Sequence, residues 1–120
     1  VKIRAVKISK DKLKSLEDRM FLVFTNMSRE IKSIQTNLGL NLINGDKKKF
    51  FFDLRDLSFE FLNNLESKNF KINEIGKLLH EGWKLKKSTN NHTTNPFIDQ
   101  LYDTLRRKGI TGGKVLGAGG

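Results

Sequence analysis

Residues 95–120 read NPFIDQLYDTLRRKGITGGKVLGAGG, a helix signal followed by a glycine-rich run. Asn95 supplies an N-cap and Pro96 a first-turn proline, so a helix starts here. Ile98, Leu101, Tyr102 and Leu105 form its apolar face. Arg106 to Lys108 suit the negative end of the helix dipole, and Gly109 closes it in the left-handed region. Gly112-Gly113-Lys114-Val115-Leu116 then reads as a strand, with Lys114 on its solvent side, running into Gly117-Ala118-Gly119-Gly120. Glycine lets a backbone approach phosphates or another loop closely. Composition alone leaves a flexible tail and a ligand-approaching loop equally open. The run is neither a P-loop, since no Gly-Lys-Ser/Thr follows at the required spacing, nor a dinucleotide fingerprint.

Working outward, Asn73 reads as the cap of a helix whose buried side carries Ile75, Leu78, Leu79, Gly82, Trp83 and Leu85. The polar stretch 88–94 reads as a loop. Before it, Phe50, Leu54, Leu57, Phe61 and Leu65 step by three or four, widened by Phe51 and Leu62, which gives one amphipathic helix of about 18 residues. Asn44-Gly45-Asp46 marks a turn, and Ser28 caps a helix with Ile31, Ile34 and Leu38 at helical spacing. Met20-Phe21-Leu22-Val23-Phe24 is a continuous apolar run of strand formers and reads as a buried central strand. Ser9 caps a short helix with Asp11 in its first turn and Leu13 and Leu16 facing inward. Val1, Ile3 and Ala5 alternate with Lys2 and Arg4 as a half-buried strand would. The order strand, helix, strand, helices, strand predicts an α+β domain, with helices on one side of a small sheet.

With 120 residues the chain matches one domain able to bury about two-thirds of its unfolded surface. There are no Cys, which excludes disulfides and thiolate metal sites, and the two His, 80 and 92, are too few for a His-based metal site without carboxylates. The formal net charge of +10 suggests an anionic partner. Lys47-Lys48-Lys49, the densest basic run, reads as a solvated face rather than a nucleic-acid patch. No apolar stretch approaches a membrane span of about 20 residues and no signal peptide is visible, so the cytoplasm is the default expectation. The strand-like run 114–116 has no following strand to pair with, so the chain reads as a fragment, with the next piece of sheet beyond it.

The stretch from residue 80, HEGWKLKKSTNNHTTNPFIDQLYDTLRRKGITGGKVLGAGG, resembles the C-terminal signature of GHMP kinases, the group named for galactokinase, homoserine kinase, mevalonate kinase and phosphomevalonate kinase. The His-Glu-x-Trp-x-Leu-Lys spacing of residues 80–86, Asn-Pro-x-Ile-Asp of 95–99 and the glycine motif most resemble the branch acting on heptose phosphates. LEDRMFLVFTNMSREIKSI, residues 16–34, is similar to that branch's strand-turn-helix. The resemblance implies a truncated C-terminal, ferredoxin-like domain spanning 1–120 with a mainly antiparallel sheet. It also implies a parent enzyme that moves the γ-phosphoryl of ATP, with Mg2+, to a hydroxyl of a sugar or sugar phosphate.

On that resemblance Gly117, Ala118, Gly119 and Gly120 support the phosphate loop. The family's N-terminal signatures, including the serine-rich loop that with acidic residues holds magnesium, are absent from these residues, and no catalytic Asp is identifiable. The chain alone is therefore expected to be inactive. Thr25 and Arg29, at a strand-to-helix turn, and Lys86 and Lys87 are candidates to face the substrate, although helix-end lysines also suit the dipole. Trp83 reads as core rather than a sugar-stacking surface, and His80 as a satisfied, partly buried histidine rather than a base, since no Ser or Cys nucleophile accompanies it. Two rival functions stand beside the kinase: a basic nucleic-acid-binding module, and a non-catalytic ligand-binding or dimerisation domain. Self-association is a further expectation, hiding Phe- and Leu-rich surfaces.

Overall fold

The computed structural model describes residues 3, 5–26, 48–89 and 93–116. Within them lie four helices: α1 (Lys10–Glu17), α2 (Lys48–Glu66), α3 (Ile72–Thr89) and α4 (Pro96–Arg107). The Ser28 cap with its helix, the turn at 44–46, Arg29, His92 and Gly117 to Gly120 fall outside the described residues.

Helix α1 starts where its sequence dictates. Ser9 Oγ accepts from the Lys12 amide at 3.3 Å, and Asp11 sits in the positive first turn. Leu16 is buried at 9 % exposure. Leu13 does not face inward as the spacing suggests; it is 47 % exposed, because an eight-residue helix turns only a narrow face to the protein. The Phe–Leu periodicity of residues 50–65 becomes α2, a 19-residue helix that packs along α3.

Between α2 and α3 the chain reverses within five residues. Ser67 Oγ accepts from the Asn69 amide at 3.0 Å, and Asn64 Oδ1 accepts from the Lys71 amide at 3.2 Å. Helix α3 then begins at Ile72, so Asn73 lies in its first turn instead of capping it. At its other end α3 runs through Ser88 and Thr89, shortening the expected loop. Helix α4 follows its signals: Asn95 Oδ1 accepts from the Ile98 amide at 2.9 Å, Pro96 opens the helix, and Gly109 ends it at φ +97°.

The α+β expectation is overturned. The described residues are helical, with no strand and no sheet. Strand propensity fails here because a strand exists only when another backbone meets its hydrogen-bonding groups. The segments read as strands spend their polar groups otherwise. The Lys7 amide donates to Glu66 Oε1 at 3.1 Å, on the end of α2. Met20 to Phe24 lies open to solvent, Leu22 at 81 % and Phe24 at 89 % exposure, rather than buried in a sheet centre. Residues 111–113 lie against helices α3 and α4.

Lys12 joins α1 to the helical pair. Its ammonium donates to the carbonyls of Leu65, at 3.2 Å, and Ser67, which close α2, and lies 5.7 Å above the Phe70 ring. A cation at a helix C-terminus meets carbonyls that have no partner inside the helix. Replacing Lys12 with Met keeps the apolar stem and removes these bonds. Urea unfolding followed by circular dichroism should show a loss of roughly 1–2 kcal/mol for Lys12→Met. Asn95→Ala should lose about 1 kcal/mol through the α4 cap.

Candidate functional site

The segment after α4 crosses α3 at Gly76 and His80, whereas the candidate residues Thr25, Lys86 and Lys87 are not brought together there. Helix α3 carries Gly76, His80, Trp83 and Lys87 at spacings of four, three and four, one stripe on a helix surface. Thr111 and Gly112 lie on that stripe. A Cβ on Gly112 would collide with the Gly76 carbonyl and stand 2.9 Å from the His80 amide nitrogen, while one on Gly76 would overlap the Thr111 hydroxyl. Two glycines in register therefore let an irregular backbone touch a helix backbone. The segment's start is held too: Arg106 donates to the Ile110 carbonyl at 2.7 Å.

One residue on, Gly113 lies beside Tyr102, with a Cβ there standing 3.8 Å from the ring. The Tyr102 hydroxyl lies 2.8 Å from His80 Nδ1, a relay that links α4 to α3. The Tyr102 and His80 rings stack at an interplanar angle of 5°, and Trp83 lies 6.3 Å from Tyr102. With the imidazole proton on Nε2, Nδ1 accepts the phenolic proton. Burial, aided by the neighbouring Arg106 cation, holds His80 below its ordinary pKa of 6.5, while Glu81 pulls the other way. Burial also raises Tyr102 above its ordinary value, against the pull of Arg106 and the Gly113 bond. His80 is thus a satisfied, neutral histidine. Trp83, 1 % exposed, is core and unavailable for stacking on a sugar; its indole N–H meets no acceptor among the described residues.

The two candidate lysines have different surroundings. Lys87 donates to Asp99 Oδ1 at 3.1 Å, the same oxygen that accepts from Thr94 Oγ1 at 3.1 Å, and its ammonium lies 5.9 Å from the Trp83 ring. That network pins the start of α4 to the end of α3. Lys86 is half-buried, and burial with the nearby Lys114 ammonium keeps its pKa below the ordinary lysine value. Lys114 is exposed, as the solvent-side reading of the sequence expects.

Thr25 is half-buried in the irregular segment after α1 and precedes Asn26, a left-handed residue at φ +53°. Among the described residues no hydrogen bond joins Thr25 to α3 or α4. Sequence reading gave no special role to Tyr102 or Gly76. A glycine inside a helical pattern was the available signal for Gly76; nothing local marks Tyr102 as the partner of His80. No group of three or more His, Asp or Glu among the described residues could hold a metal ion, so these residues do not fit a magnesium site. No helix among them is long and apolar enough to cross a membrane.

Compared with known proteins, the chain is similar to the bifunctional fucokinase/GDP-fucose pyrophosphorylase of Arabidopsis thaliana, at 26% identity over 113 residues. The alignment covers 90% of this chain and 10% of that protein, so the chain spans about a tenth of the relative it matches. No family model matches the chain, and no solved structure does.

Two outcomes test this geometry. Gly112→Ala forces a methyl group onto the α3 backbone and should lower stability by roughly 1–3 kcal/mol in thermal or urea unfolding. The relay prefers neutral His80, so the unfolded chain binds the imidazole proton more readily than the folded one. Stability conferred by that preference is present above pH 6.5 and declines as pH falls through the depressed value. His80→Gln, which keeps a side-chain acceptor, should flatten the pH dependence of the unfolding midpoint below pH 6.5 relative to wild type.

Proposed function

We propose that this chain is the C-terminal domain of an ATP-dependent sugar kinase of the GHMP type, transferring the γ-phosphoryl of ATP to a hydroxyl of a sugar or sugar phosphate. The observation that carries this reading is the similarity to a fucokinase-containing protein across 90% of the chain. Residues 80–86, 95–99 and 112–120 support it by their resemblance to the family's C-terminal signature, and make a heptose phosphate one acceptor to test.

Phosphoryl transfer depends on positioning and on stabilising charge more than on covalent help from the protein. In this reading the chain contributes positioning. The Gly76–Gly112 contact fixes backbone that precedes the glycine motif, and Gly117 to Gly120 have the proposed role of supporting the phosphate loop of the parent enzyme. Binding of ATP and Mg2+ falls to the parent's other half, and no step runs through a metal held by the described residues. The parent acts in the cytoplasm.

We place no nucleic acid among the partners. Lys14, Lys49, Lys77 and Lys84 pair with acidic neighbours three or four residues away, a dispersed pattern unlike a phosphate-tracking stripe.

The full polypeptide carrying this chain, given ATP and Mg2+, should release ADP when offered one member of a panel of sugars and sugar phosphates that includes fucose and heptose phosphates. The 120-residue chain alone should give only background release. Failure of the full polypeptide with every member of the panel refutes the kinase assignment. Turnover by the isolated chain refutes the division of the site.

A further inference from the structure

We propose that the outward face of α2, carrying Phe52, Arg55, Asp56 and Phe59, is a contact surface for a second copy of this chain, the two helices lying antiparallel. This surface stands apart from the crossing at Gly76 and does not depend on the kinase reading.

Helix α2 has an inner and an outer side. Leu54 looks toward α3, its Cδ1 lying 4.0 Å from where a Cβ on Gly82 would stand. At about 100° per residue, Phe52, Asp56 and Phe59 fall on the side opposite Leu54, with Arg55 at its edge. Phe52 is 50 % and Phe59 57 % exposed, and the side chains of Arg55 and Asp56 are exposed beside them. The two rings stand seven residues apart, two turns along one face, so a single partner covers both.

The patch is ordered before any partner arrives. Arg55 gives Asp56 Oδ1 two hydrogen bonds, from Nε at 2.8 Å and Nη2 at 2.6 Å. Its guanidinium lies 5.0 Å from the Phe52 ring. Side chains already held in place lose less freedom on association.

The spacing selects a second copy as the occupant. From Phe52 to Arg55 is three residues, from there to Asp56 one, and from there to Phe59 three, so the intervals read alike in both directions. A two-fold axis passing between residues 55 and 56 sets Phe52 of one copy opposite Phe59 of the other, and Arg55 opposite Asp56, each pairing occurring twice. Rings then meet rings on both flanks, and opposite charges alternate at the centre. A parallel pairing sets Arg55 against Arg55 and Asp56 against Asp56, which like-charge repulsion disfavours. One helix face per copy makes a small interface, below about 1,200 Å2, and each copy carries a net charge of +10. The dimer is therefore weak and concentration-dependent.

Sedimentation equilibrium of the 120-residue chain in about 0.15 M salt, where charges are screened beyond about 8 Å, should show monomer and dimer in exchange. Phe52→Ala and Phe59→Ala should each weaken the dimer about tenfold, with the helical circular dichroism unchanged. Arg55→Asp lowers the net charge and eases general repulsion, yet should also weaken the dimer about tenfold, because it sets acid against acid. Adding Asp56→Arg to that variant restores opposite charges in every facing pair and should bring the dimer back. Lys10→Asp, the same change of charge placed on α1, should not weaken it. A monomer at every concentration overturns the proposal and leaves the face to a different chain. A dimer indifferent to both phenylalanine substitutions overturns it too, as does a charge-swapped double variant that stays as weak as Arg55→Asp.

Discussion

The contact between the Gly112 backbone and the Gly76 carbonyl is the constraint from which the rest of this site follows. An irregular segment normally stands off a helix by the depth of a side chain. Here both partners lack a Cβ at the crossing, so the segment lies on the helix backbone itself. That approach places Gly113 beside the ring of Tyr102, whose hydroxyl lies 2.8 Å from His80 Nδ1. Each of these pairings links residues more than ten positions apart.

A second anchor acts at the turn between α2 and α3. Lys12 closes the carbonyl end of α2 and thereby ties α1 to it. Neither anchor is a large apolar core. Leu16, Ile75, Trp83 and Ile98 are the buried apolar side chains among the described residues. Directional bonds at helix ends and one backbone-to-backbone contact therefore hold much of the arrangement. Local charge or methyl changes should consequently tell more than their size suggests.

The helices were legible because their signals are local. Ser9, Asn95-Pro96 and Gly109 each act within one turn, and the Phe–Leu stepping of residues 50–65 needs only its own periodicity to define a buried face. The strands were misread because a strand is a non-local object. Met20 to Phe24 has the composition of a sheet centre, yet composition cannot say whether a partner backbone is present, and among the described residues none is. At the site, Trp83 and His80 were placed correctly as core and as a satisfied histidine, since helical spacing puts them on the inner face. Lys87 and Lys86, adjacent in sequence, were indistinguishable until Asp99 arrived from elsewhere in the chain to hold Lys87. Tyr102 read as one more apolar-face residue, because the role of its hydroxyl depends on where residue 113 returns.

The central claim is that the segment after α4 is seated on α3 at Gly112 and beside Tyr102 of α4 at Gly113. Amide hydrogen exchange at Gly113, measured by NMR in wild type and in Tyr102→Phe, tests it most directly. Slow exchange in wild type that speeds up markedly in Tyr102→Phe, with the amides of α3 unchanged, is the expected result. Exchange at the rate of an unstructured peptide in wild type, or slow exchange indifferent to the loss of the hydroxyl, contradicts it.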